Sequence, residues 1–111
     1  MSDEDLMFHF QKGSREAFEE LFQRYRDPLY GFFRRRIWDA ARVQDLTQET
    51  FLALIRGAGR YEPRAAFRAY LYGIALMMTY NERRRQTHEA LDFETSGSRS
   101  DDDVLWVRQA L

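Results

Sequence analysis

Between Ala17 and Ile37 the apolar residues fall at spacings of three and four: Ala17, Phe18, Leu21, Phe22, Tyr25, Leu29, Phe32, Phe33 and Ile37. Side chains three and four apart share one face of an α-helix, so this run is a buried helical stripe and not the alternating face of a strand. Few breakers oppose it, since the 111 residues include only 2 Pro and 6 Gly. Pro28 follows Asp27 inside the stripe, and the apolar phase continues past it. The spacing therefore predicts one helix over 14–37 with a kink near Pro28. Ser14 suits its N-cap, and Glu16 lies in the first turn near the positive end of the helix dipole.

The same rule organises the rest of the chain. Leu6, Met7 and Phe10 share one side of a short helix over 3–12, closed by Lys12-Gly13, with glycine suiting a left-handed cap. Trp38-Asp39 marks a turn. A helix over 40–56 then turns Val43, Leu46, Thr50, Leu54 and Ile55 inward and carries Asp45, Gln48, Glu49 and Leu52 on its other side. Two Gly and one Pro make 57–64 a loop. Phe67, Leu71, Ile74, Ala75 and Met78 form the inward stripe of a last helix over 65–86. The expectation is an all-α fold, a compact bundle of about four helices forming one domain over 1–86. Residues 87–103, rich in Ser, Thr and Asp, read as a flexible acidic linker. Residues 104–111 read as the start of a further, truncated helix.

Charge separates along the chain although the total is −1. Residues 1–55 carry 8 basic and 10 acidic side chains, and residues 86–111 carry 2 and 6. Between them, residues 56–85 carry 7 arginines (Arg56, Arg60, Arg64, Arg68, Arg83, Arg84, Arg85) against Glu62 and Glu82. Tyr61, Phe67, Tyr70, Tyr72 and Tyr80 are interleaved with those arginines. Cations with aromatic rings are the composition that grips single-stranded nucleic acid, charge for phosphates and rings for bases. A solvated helix over core aromatics has the same composition, and Arg83–Arg85 would complement a helix C-terminus without any ligand.

Other chemistries find no support. The chain has no Cys and only two His, at 9 and 88, so neither thiolate chemistry nor a His-rich metal site is available. Signatures of phosphate loops, dinucleotide turns and nucleophile elbows are missing, and no enzyme, cofactor or metal is expected. The acidic opening Met1-Ser2-Asp3-Glu4-Asp5 is unlike a signal peptide, and no apolar run is long enough to span a bilayer. A cytoplasmic protein without membrane contact is the expectation.

The string Asp45-Leu46-Thr47-Gln48-Glu49-Thr50-Phe51-Leu52 precedes Arg60-Tyr61-Glu62-Pro63-Arg64 and Phe67-Arg68-Ala69-Tyr70-Leu71-Tyr72-Gly73-Ile74-Ala75. Together they resemble region 2 of the bacterial sigma-70 superfamily, in particular its extracytoplasmic-function (ECF) group. Gly13–Phe22 resembles that group's opening, and the likeness covers roughly residues 3–86. The resemblance implies that Asp45, Gln48, Glu49 and Leu52, with Phe51 a further apolar candidate, dock on a coiled coil of the RNA polymerase β′ subunit. It also implies that the loop and last helix recognise and melt the promoter −10 element by holding its non-template strand. Arg60, Tyr61, Arg64, Phe67, Arg68, Tyr70, Tyr72, Arg83, Arg84 and Arg85 are the DNA-binding candidates. An anti-sigma factor is the implied regulator. By the same resemblance, residues after 103 would begin region 4. The chain departs from the family at Leu76-Met77, where many members have Arg-Asn, at Gly73, where many have Arg, and at Tyr70, where many have Trp. The Leu76-Met77 departure keeps a second reading open: a helical protein-interaction module that binds polymerase or an anti-sigma partner without reading DNA.

Overall fold

The computed structural model describes residues 1–95, with side chains as far as Leu91. Its elements are α1 (Asp3–Gln11), α2 (Arg15–Arg34), α3 (Ala40–Arg56), a 3-10 turn (Ala58–Arg60) and α4 (Phe67–Thr95), with no strand among the described residues. Residues Met1–Leu76 form one compact unit, and α4 continues from it into a second that begins at Met77. The all-α expectation holds, with the boundaries of the first three helices close to those read from the spacing.

Each of the first three helices is started by a side chain just before it. Ser2 accepts from the Asp5 amide at 3.0 Å while the Asp5 carboxylate reaches back to the Ser2 amide at 3.4 Å, a reciprocal capping box. Ser14 accepts from Ala17 N–H at 3.2 Å, and Asp39 from Ala41 N–H at 2.9 Å. Gly13 takes φ +103°, a backbone region in which only glycine is unstrained, and so turns the chain from α1 into α2.

Helix α2 runs unbroken through Pro28. The proline removes an amide donor, but its ring lies on the exposed side, and Leu21, Tyr25, Leu29, Phe32 and Phe33 stay in register on the buried side. Burial of that stripe offsets the lost hydrogen bond. The helix stops at Arg34, three residues short of Ile37. Ile37 nevertheless remains in the core, held by a turn in which its amide donates to Phe33 O at 2.7 Å.

Helix α4 is longer than its apolar stripe. It was expected over 65–86 and runs from Phe67 to Thr95, so residues 87–95 of the expected linker are helical. Polar spacing supports the added turns: Arg85 pairs with Glu82 at 3.4 Å and Glu89 at 3.2 Å, and Thr87 Oγ1 donates to Arg83 O at 2.8 Å. The rest of the expected linker and the expected helix over 104–111 lie outside the described residues.

Candidate functional site

The loop between α3 and α4 is built from the inside out. Helix α3 ends at Gly57, whose added Cβ would stand 3.1 Å from the Tyr70 hydroxyl and 3.3 Å from Ala53 O. That close approach lets Tyr70 Oη donate to Gly57 O at 3.4 Å. After the 3-10 turn, Tyr61 is extended and turns its ring into the core, where it packs edge-on against Phe67 and Tyr70 at centroid distances of 6.1 and 5.0 Å. Its hydroxyl donates to Ala65 O at 2.5 Å and closes the loop on itself. Burial, and then the negative charges of Glu4 and Asp3, push the Tyr61 hydroxyl pKa up.

Tyr61 and Phe67 therefore do not present their rings to solvent. Exposures of 4% and 0% make them the floor of the loop instead of stacking platforms. The segment 62–66 above them is exposed throughout, with an Arg64–Glu62 ion pair at its tip. Arg60 and Arg68 are exposed and make no ion pair among the described residues. Arg68 lies over the Tyr72 ring at 5.0 Å. Tyr70 and Tyr72 are half-buried, and Tyr72 also packs edge-on against Phe32 at 5.3 Å. Behind it, the Tyr25 hydroxyl donates to the Asp3 carboxylate. Burial, reinforced by that bond, pushes the Tyr25 pKa up to about 12, against a lowering effect from Arg68. The structure thus brings Arg60, Arg64 and Tyr70 to the exposed loop, while Arg68 and Tyr72 pair on the side of α4 that faces α2.

Arg83, Arg84 and Arg85 belong to the second unit. All three are exposed, Arg84 donates to Asn81 Oδ1 at 3.3 Å, and Arg85 is engaged by Glu82 and Glu89.

On α3 the expected docking residues share one exposed face. Asp45, Gln48, Glu49 and Leu52 all reach solvent, and Asp45 pairs with Arg42 at 3.2 Å. Two apolar expectations need correction. Phe51 is a core ring, packed on Phe22 at 4.8 Å and Phe18 at 6.2 Å. Ile55, expected inward, is 43% exposed and extends the apolar edge begun by Leu52, also 43% exposed. Beside this face a groove of about 430 Å³ runs between α2 and α3, lined by Phe22, Arg26, Tyr30, Gln44, Gln48 and Phe51 among others.

Sequence reasoning missed two features of this unit. Arg34, Arg35 and Arg36 are exposed beside Trp38, which is 96% exposed, and the arginine run was visible in the sequence. Gln11 and Glu4 reach the loop from α1, and their partners lie 47 to 63 positions away, where no local signal could point. No group of three or more metal-ligating side chains occurs among the described residues.

An acid-edged helix, followed by a cationic loop and an aromatic-lined helix start, occupies the stretch that matches the family model for sigma-70 region 2, residues 21–89. The chain belongs to the sigma-70 family. Its relatives place it among ECF sigma factors and their kin. It is 40% identical over 82 residues to the RNA polymerase sigma factor CarQ of Myxococcus xanthus, covering 74% of this chain and 47% of that one. It is 33% identical over 79 residues to the RNA polymerase sigma-H factor of Pseudomonas aeruginosa, covering 71% and 41%. The ECF sigma factor SigW of Bacillus subtilis is 26% identical over 89 residues, covering 79% and 48%. This region 2 chain spans less than half the length of each of these relatives. Among its described residues no helix is long and apolar enough to cross a membrane.

Proposed function

We propose that this chain is a promoter-opening module of RNA polymerase. Its α3 face docks on a basic coiled coil of the β′ subunit, and its 60–72 segment holds the unpaired non-template strand of the −10 element. The observation that carries the reading is the loop itself: residues 62–66 stand in solvent on a sealed aromatic floor, with Arg60 and Arg68 beside them and no ion pair made among the described residues. Exposed arginines supply phosphate attraction without sequence information, so sequence reading falls to the loop backbone and the edges of Tyr70 and Tyr72. Because Tyr61 and Phe67 are covered, a captured base would rest against the loop and not between two rings. On α3, exposed carboxylates set register and association rate, while Leu52 and Ile55 supply apolar contact. A cytoplasmic location and control by an anti-sigma factor follow from the same reading.

The test is binding of a labelled non-template-strand oligonucleotide across a salt series. Arg60→Ala and Arg68→Ala should each weaken binding to every sequence and reduce the salt slope by about 1. An unchanged slope removes the phosphate role. The second reading, a protein-binding module that does not read DNA, is favoured by Leu76 and Met77, apolar side chains that are 40% and 61% exposed. Retained polymerase binding with no oligonucleotide binding at any salt concentration would select it.

A further inference from the structure

We propose that α1 positions the reading loop, with Gln11 and Glu4 fixing the path of residues 58–67 and so deciding which bases the loop accepts. The inference rests on the reading that this loop takes unpaired DNA. Gln11 Nε2 donates to Ala58 O at 2.7 Å and to Tyr61 O at 3.0 Å. Its amide group has two N–H donors, and each meets one carbonyl at the loop entrance. At the other end, Glu4 Oε2 accepts from Phe67 N–H at 2.7 Å. Phe67 is the first residue of α4, and its amide is one of the four that a helix start leaves without a helical partner. The other helices take their caps from adjacent residues, whereas this amide is capped from α1.

Between these two anchors the loop is held by short-range bonds, Ala65 N–H to Glu62 O, Tyr61 Oη to Ala65 O, the Arg64–Glu62 pair and, at its far end, Tyr70 N–H to Ala66 O. The geometry of the exposed 62–66 segment is therefore set by where its ends are pinned. Attachment of α1 to the bundle does not depend on the anchors, because Leu6 and Met7 are buried while Glu4 and Gln11 are only half-buried. The anchors are thus free to serve the loop's shape, and their loss should loosen the loop before it loosens the fold.

The experiment selects sequences from a random single-stranded DNA pool of about 12 nucleotides with the 111-residue chain bound to core polymerase. It then compares affinity for the enriched oligonucleotide with that for its scrambled version. Gln11→Met, which keeps length and removes both donors, should lower that ratio by about fivefold or more. Glu4→Ala should do the same. Glu4→Gln retains an acceptor oxygen and should keep the ratio. Affinity for the scrambled oligonucleotide should not change in any of them. A preserved ratio in both Gln11→Met and Glu4→Ala, with faster amide exchange at 58–67, overturns the inference and leaves the loop reading intact. Equal ratios in Glu4→Ala and Glu4→Gln overturn it even where a variant is less stable. A wild-type chain that enriches no sequence overturns the loop reading, and the inference with it.

Discussion

The α3 face and the 57–67 connection into α4 are neighbours in sequence but differ in what holds them. On α3, Asp45, Gln48, Glu49 and Leu52 are placed by helical geometry alone: a residue three, four or seven positions away shares the face whatever the rest of the chain does. In the loop, Tyr61, Ala58 and Phe67 are placed by partners on α1 and by rings that the fold brings together. A surface set by periodicity tolerates loss of distant contacts. A surface set by tertiary anchors does not.

The difference can be broken from either side. Reversing charge on the periodic surface, Asp45→Arg with Glu49→Lys, should weaken polymerase binding by more than about 1,000-fold, since like charges set against a basic partner cost several kcal/mol. Oligonucleotide affinity and the helical circular dichroism signal should stay as they were; retained polymerase binding would take the docking role from α3. Removing the floor of the anchored surface, Tyr61→Ala, should cost about 3 kcal/mol of stability by thermal denaturation through the cavity left over Phe67 and Tyr70. Tyr61→Phe loses only the bond to Ala65 O and should cost about 1 kcal/mol. Equal costs for the two would mean that the ring contributes nothing.

Alkali sharpens the comparison, because the raised hydroxyls of Tyr25 and Tyr61 belong to side chains packed on Phe67 and not to the exposed α3 face. The Tyr25 pKa is raised from 10.0 to about 12, so the folded state holds its proton more tightly than the unfolded chain does. Stability from this group is fully present below pH 10 and is lost as pH rises from 10 towards about 12. Melting temperature followed across that window should fall, and should fall less in Tyr25→Phe; equal slopes would mean that another group titrates. The smallest effect is expected at Leu52→Ala, about 1 kcal/mol off polymerase docking with no change in melting temperature. A larger loss of stability than of docking would place Leu52 in the core.

Legibility followed the same division. The helices could be read because their stripes are local, and α2 stayed one helix across Pro28 because its apolar phase did. The end of α4 was missed because residues 87–95 carry no apolar stripe, although the spacing of Arg85 and Glu89 was a helical signal. Ile55 was misassigned because it falls at the margin of the α3 stripe, one residue past Leu54, where a small rotation decides between core and solvent. Composition gathered arginine and tyrosine in one stretch of the chain, yet it could not say which rings face outward. Tyr61 and Phe67 are covered by packing that includes Tyr25, 42 positions before Phe67, and no window of the sequence contains that contact.

The bond from Phe67 N–H to Glu4 also bears on synthesis. A ribosome makes Glu4 63 residues before its partner amide. Until Phe67 has left the tunnel, the Glu4 carboxylate waits in water and the far end of the loop has nothing to fasten to. A nascent chain stalled short of that point would have every residue of α3 but a loop fastened at only one end.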